Sequence, residues 1–126
     1  MTWHPRGILD DAVLDEALAF AQTLEQLADA PFDRYTDFNG LTEIHVKIGH
    51  VFHLAEGRAA EHAGLAPVKS AFCCDKVVGL GMARMYEALM AGSSIHVRAF
   101  RERAAAAEWL GVPELVLAED QQERTR

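Results

Sequence analysis

The stretch Pro67-Val68-Lys69-Ser70-Ala71-Phe72-Cys73 decides the fold when it is taken with the residues that follow it. Its side chains alternate between two faces, which predicts a strand. An apolar stripe at helical spacing then runs through residues 76–91 and stops at Gly92, with Asp75 as the predicted N-cap. Residues 95–100 are a second strand-like run. The region is therefore predicted to form a strand, a helix and a strand in succession.

The same alternation extends on both sides of this unit and predicts one α/β domain, in which helices cover a sheet. Helices are predicted over residues 11–29, 48–63 and 104–110, and extended segments over 33–38 and 43–46. The helix ends are marked by capping or helix-breaking residues, namely Asp10 or Asp11, Pro31, Gly64 and Gly111.

Asn39-Gly40 marks a turn after the strand predicted at 33–38. The same dipeptide is typical of a tight hairpin, which would bring residues 41–46 back along that strand. The apolar spacing beyond Gly40 is imperfect for a regular hairpin, so both alternatives stay open at this point.

Composition limits the classes of function. The chain has 126 residues, of which 50% are hydrophobic and 25% charged, as expected for one globular domain. Its net charge of −7 and its lack of a basic block argue against a nucleic-acid partner. No apolar run or leader-like segment predicts a membrane span or a signal peptide. The adjacent Cys73 and Cys74 would form only a strained disulfide, which favours the reducing cytoplasm.

Several sequence motifs carry a resemblance to a known family. They are Pro5-Arg6-Gly7-Ile8-Leu9-Asp10, Asp33-Arg34-Tyr35-Thr36-Asp37, Pro67-Val68-Lys69-Ser70-Ala71-Phe72, Ala83-Arg84-Met85-Tyr86-Glu87-Ala88-Leu89, Val97-Arg98-Ala99-Phe100-Arg101 and Ala107-Glu108-Trp109-Leu110-Gly111. In this order the chain resembles the SpoIIAA-like, or STAS-type, small bacterial domains. The resemblance implies a mixed, mainly parallel single-layer sheet of about four to five strands with helices packed on it. The resemblance covers about residues 3–113, so residues 1–113 are assigned to the domain. Residues 114–126 form a tail whose apolar start docks on the body or on a neighbouring subunit and whose last six residues are frayed.

The family also implies a function. Its best-known members are non-enzymatic switch proteins that bind a kinase partner and are phosphorylated on a serine in a turn before a helix. The comparable turn here reads His45-Val46-Lys47-Ile48 and has no hydroxyl, so the phosphorylation switch is not expected. The resemblance predicts a non-catalytic interaction or regulatory module without a cofactor. Structural relatives of the fold include lipid-binding domains, so a carrier of a small apolar ligand is the alternative. An enzyme that uses Cys74 or a histidine-bound metal is a third.

The protein is also predicted to form a homodimer, and this prediction depends on the helix predicted over residues 76–91. Met82, Met85 and Met90 lie there beside Tyr86, and methionine is frequent at adaptable interfaces. A core helix has the same composition, so the stripe is either core or a homodimer interface. The apolar start of the tail would add to such an interface.

Three further patterns allow two interpretations each. His45, His50 and His53, with Glu56, have donors that a metal uses, but the spacing matches no metal motif, and surface histidines explain it equally. Cys74 before a helix N-terminus would form a thiolate easily, although a core cysteine is the alternative. The pattern Gly79-Leu80-Gly81 after Lys76 either holds a phosphate or lets a helix approach the sheet closely.

Polar residues at the strand ends are the candidate binding site, because ligands of open parallel sheets gather there. The tentative ligand-binding or partner-binding set is Arg34, Asp37, Lys69, Cys74 and Arg84, with Thr36, Ser70, His96 and Arg98 nearby in the same motifs. The alternative is that these residues form structural ion pairs, with Lys69 or Arg98 facing Asp37 or Glu87.

Overall fold

The computed structural model describes residues 1–118, and within them the chain forms six strands and four α-helices. The strands are β1 (Thr2–Trp3), β2 (Gly7–Asp10), β3 (Arg34–Asp37), β4 (Leu41–His45), β5 (Val68–Cys73) and β6 (Ile95–Phe100). The helices are α1 (Asp11–Leu27), α2 (Ile48–His62), α3 (Val77–Leu89) and α4 (Arg103–Leu110), and a 3₁₀ turn follows at Glu114–Ala118.

The main sheet has four strands in the order β1-β3-β5-β6, and every pair in it is parallel. Arg34 of β3 lies opposite Ser70 of β5, and Val68 of β5 lies opposite Ile95 of β6. Parallel neighbours need a long crossover, and α2 and α3 lie within the crossovers that join these three strands. The predicted α/β class and the mainly parallel sheet are confirmed.

A second sheet pairs β2 with β4 in parallel, with Gly7 opposite Leu41 and Leu9 opposite Ile44. The hairpin alternative for Asn39-Gly40 is therefore wrong. Both edges of β3 are already occupied, by β1 and by β5, so no edge is left for a returning strand. The turn instead leads the chain out of the main sheet, and the Leu41 amide donates to Phe38 O at 3.1 Å.

The helix ends follow the capping residues in most places. Asp10 caps α1, because its Oδ1 accepts from the Val13 amide at 2.9 Å. Gly111 ends α4 in the left-handed conformation with φ 73°. The prediction that Asp75 caps α3 is wrong. The helix begins one residue later than predicted, with Lys76 at the N-cap and no side-chain cap. Asp75 lies in the preceding turn, where its amide donates to Asn39 Oδ1 at 2.9 Å.

The two faces of the main sheet are covered differently. On one face, Tyr35, Ala71 and Cys73 pack against Ala106 and Ala107 of α4. The start of the tail closes this side, since Leu117 is buried in the same cluster and its carbonyl accepts from His4 Nε2 at 2.8 Å. The start of the predicted tail therefore lies against α4 and the sheet, whereas the fraying predicted for the last six residues lies outside the described residues. The opposite face lies beneath α1, α2 and α3.

Gly79 allows α3 to approach the core closely. A Cβ placed on Gly79 would lie 2.5 Å from Cys74 Sγ, which is itself buried, whereas a Cβ on Gly81 would meet nothing within 4 Å. The interpretation of Gly79-Leu80-Gly81 as a close-packing element is therefore correct for Gly79 alone.

These two glycines form a matched pair for a stability test. We expect Gly79→Ala to lower the free energy of unfolding by about 1–3 kcal/mol through overpacking. Gly81→Ala should raise it by up to about 1 kcal/mol, because alanine is the better helix former. Urea denaturation of the two variants measures both changes, and an equal effect at the two positions would contradict the assignment.

Candidate functional site

A cavity of about 130 Å³ lies between the main sheet and the layer of α1, α2 and α3. Each of the three helices contributes apolar side chains to it, and so do the central strands. Those that define its shape are Leu14, Leu18, Val51, Met82, Phe38 and Phe72. Apolar side chains from four elements thus surround a space that side chains would fill in a fully packed core.

The roof of the cavity, α1, is held mainly at its two ends. Ala21 is its only fully buried residue, so apolar packing along the helix is thin. At the N-terminal end, Asp11 Oδ1 accepts from the Lys47 amide at 3.1 Å, and Asp15 Oδ1 lies 2.8 Å from His50 Nε2. At the other end, Gln22 donates to Glu61 of α2 at 2.9 Å. The middle of α1 therefore spans the cavity between polar attachments.

The floor of the cavity carries polar groups without partners. Ser70 and Thr36 are 4% and 7% exposed and line the cavity, and their hydroxyls form no hydrogen bond with any residue among 1–118. Arg34, opposite Ser70 in the sheet, also lines it, and its buried Nε has no partner within the same residues. The two hydroxyl oxygens keep some accessible surface, so a bound molecule or water in the cavity can supply their missing hydrogen bonds.

The carboxylate of Glu25 binds the two arginines that separate the cavity from an outer groove. Its Oε2 accepts from Arg34 at 2.7 Å and from Arg58 at 2.6 Å, and its Oε1 accepts from Arg58 at 3.0 Å. Burial disfavours the ionised form, but the hydrogen bonds from Arg58 and Arg34 hold the pKa of Glu25 below its ordinary value. Arg34 and Arg58 also line an outer polar groove of about 490 Å³, so this ion cluster forms the wall between groove and cavity.

A second polar network lies on the opposite face of the sheet. Asp37 accepts from the Tyr35 hydroxyl at 2.7 Å, from Arg103 at 3.1 Å and from the Asn39 amide at 2.9 Å, so both of its oxygens are satisfied. Burial raises the pKa of the neighbouring Cys73 thiol, which stays protonated and is a poor nucleophile. This network therefore closes the carboxyl end of β3 with protein groups.

The structure does not bring the five predicted site residues into one cluster. Arg34 lines the cavity, whereas Asp37 and Lys69 face the α4 side, where Lys69 Nζ donates to Trp109 O at 2.8 Å. Cys74 is buried beneath α3, and Arg84 is exposed on that helix. Of the neighbouring motif residues, Thr36 and Ser70 join Arg34 at the cavity.

The ion pairs predicted for Lys69 and Arg98 are wrong. Arg103, from the helix that covers this face, takes Asp37 instead. Glu87 accepts from the Ala99 amide at 2.7 Å, and the Arg98 guanidinium lies 5.4 Å from the centre of the Phe100 ring.

The other sequence patterns have structural explanations. His50 faces Asp15, and His45 lies 3.9 Å from Glu43. Among residues 1–118 no group of three or more His, Cys, Asp or Glu side chains could hold a metal ion. Cys73 and Cys74 are both free and buried. Met82 lines the cavity and Met90 is buried in the core, so these two belong to the interior.

The sequence patterns do not identify Glu25 or Arg58 as site residues, because charged residues within a predicted helix are expected on its solvent-exposed face. A signal for Arg58 was present, since the buried residues of α2 are Val51, Ala55, Arg58 and His62. These follow helical spacing, so an arginine on an apolar stripe indicates a buried, paired cation. Glu25 has no comparable signal in the sequence.

No family model, curated protein or solved structure matches the chain. Within residues 1–118, no helix combines the length and apolar character needed to cross a membrane.

His62, which lines the outer groove, provides a pH test of this region. Burial, together with the cation of Arg34, lowers the pKa of His62 below 6.5, so the folded state favours the neutral ring. Its Nδ1 lies 2.8 Å from Ser94 Oγ. The unfolded chain therefore binds a proton more readily, and we expect stability to fall as the pH drops below about 6.5.

The measurement is urea unfolding between about pH 7.5 and 5.5, compared between the wild type and His62→Gln. The variant should lose part of the decline with falling pH. His53→Gln is the matched control, because His53 is exposed on the same helix. An unchanged pH dependence in His62→Gln would contradict the assignment.

Proposed function

We propose that the protein is a non-catalytic binding module that holds a small, mainly apolar molecule in the cavity beneath α1. The observation that carries this proposal is the cavity of about 130 Å³, lined mainly by apolar side chains and floored by the unpartnered hydroxyls of Thr36 and Ser70. Ligand sites of this kind combine an apolar wall with a few polar groups that fix orientation.

The same polar groups support binding rather than turnover. A hydroxyl becomes a nucleophile when an adjacent base accepts its proton. Neither Thr36 nor Ser70 has a hydrogen-bonded base in the described part of the chain. Their chemistry suits orientation of a ligand.

Toluene tests the proposal directly, because an engineered apolar cavity of about 150 Å³ holds benzene. We expect saturable shifts of the methyl resonances of Met82 and Leu18, both of which line the cavity, in methyl NMR spectra of the full chain. Ala83→Leu should abolish these shifts, because Ala83 is a small lining residue of α3.

Ala88→Leu is the matched control, since Ala88 is exposed on the same helix and the same side chain is introduced. If Ala83→Leu fails to fold, Ala21→Val fills the cavity from the roof and serves in its place. If neither toluene nor a polar benzene derivative gives saturable shifts in the wild type, this function is ruled out.

A STAS-type interaction module, working as a homodimer in the cytoplasm, is the second candidate. Its sequence support is the resemblance, and its structural support is a groove of about 410 Å³ between β4 and the start of α3. Val77 and Val78 line this groove and are 83% and 68% exposed. Exposed apolar side chains beside a groove favour a protein contact. The two buried thiols fit a reducing compartment.

Sedimentation equilibrium tests this candidate. We expect a dimer that Val77→Glu with Val78→Glu converts to monomer, because a charge in an apolar contact must be desolvated. Ala88→Glu, exposed on the same helix, should leave the dimer intact. A wild type that stays monomeric at about 100 μM would contradict the homodimer.

A further inference from the structure

Two hydroxyls that have no hydrogen-bond partner in the described part of the chain, and one guanidinium, lie on one face of two paired strands. The terminal nitrogens of that guanidinium, Arg34, bind Glu25 and Phe32 O. Arg34 and Thr36 are two residues apart on β3, and Ser70 is opposite Arg34 on β5, so the three side chains are neighbours. A guanidinium can only donate, and a hydroxyl donates to an acceptor presented to it. The two hydroxyls can donate or accept, but the cation beside them favours a polar ligand end that accepts hydrogen bonds.

The charge around these donors favours an anion. Arg34 and Arg58 are buried and share the single carboxylate of Glu25. Glu61 lies 3.4 Å from Arg58 but is 43% exposed, so solvent weakens its attraction to the Arg58 cation. Burial raises the pKa of Tyr86 and keeps that lining phenol neutral. One buried positive charge is thus left without a buried counterion.

The size of the cavity limits the rest of the ligand. About 130 Å³ is close to the cavity volume that accepts benzene, about 150 Å³. A long acyl chain would not fit without filling the groove as well. The lining away from the floor is apolar, so the body of the ligand has no further polar partners there.

We propose, on the basis of the function proposed above, that the ligand is a small organic acid with a benzene-sized apolar body. Its carboxylate accepts from the Thr36 and Ser70 hydroxyls beside the Arg34 guanidinium, and its body lies against Phe72 and Met82. The carboxylate supplies the buried negative charge that the two guanidiniums lack.

Four compounds of similar shape test this inference in NMR titrations of the full chain: benzoate, benzamide, toluene and benzylammonium. We expect benzoate to bind about tenfold more tightly than benzamide, as a charge-assisted hydrogen bond exceeds a neutral one. Toluene should bind more weakly than benzamide. Benzylammonium should not bind measurably, because it brings a cation to two buried guanidiniums.

Two conservative variants test which side chains donate hydrogen bonds to the carboxylate of the ligand. Thr36→Val and Ser70→Ala remove one hydroxyl each with little change of volume, and each should reduce the preference for benzoate over toluene several-fold while toluene affinity is kept. Thr42→Val is the matched control, because Thr42 is exposed on β4. It should leave all affinities unchanged.

The outcomes separate this inference from the function beneath it. Toluene binding without a preference for benzoate overturns the acid and leaves the binding module intact. Failure of all four compounds to bind overturns both. A benzoate preference that survives in both Thr36→Val and Ser70→Ala overturns the assignment of the carboxylate to these donors.

Discussion

The carboxylate of Glu25 is the interaction on which the cavity depends. It belongs to α1, whereas its partners Arg34 and Arg58 belong to β3 and α2, so one side chain joins roof, sheet and neighbouring helix. A buried ion pair of this kind contributes little net stability, but loss of one partner leaves a buried charge and costs about 3–5 kcal/mol. With Ala21 as the only fully buried residue of α1, the cluster fixes the helix where apolar packing is thin.

The unfilled volume of the cavity lowers the stability of the fold. At the value of about 24 cal/mol per Å³ for an enclosed cavity, a volume of about 130 Å³ corresponds to at most about 3 kcal/mol of packing that a filled core would gain. Small residues create this space, since Ala17 and Ala21 of α1 and Ala83 of α3 line it. A bound molecule that replaced the missing contacts would recover part of this energy, which makes ligand binding and stability of the domain two aspects of one property.

The sequence predicts those features that depend on local periodicity. Strand alternation at 68–73 and the glycine at Gly111 place β5 and the end of α4 correctly. The pairing of β2 with β4 was not predictable, because it depends on β3 having both edges occupied. The place of Asp75 in the turn before α3 was not predictable either, since its amide contacts Asn39, which is distant in the sequence. The sequence predicts Arg34 as a site residue. Which other polar residues lie beside it depends on the face of the sheet from which each side chain projects.

The carboxyl ends of parallel strands are the usual place for a ligand in an open sheet, and the chain closes that place with its own groups. At the end of β3, Tyr35, Asn39 and Arg103 satisfy both oxygens of Asp37. The helix α4 and the 3₁₀ turn then cover the face beside it. On the other face, Thr36 and Ser70 lie within the sheet and stay unpartnered beneath α1. Within residues 1–118, Arg103 Nε is also buried without a partner on the closed face, but accessible unpartnered hydroxyls beside unfilled volume are found beneath α1. The proposed site therefore lies between sheet and helices rather than at the strand ends.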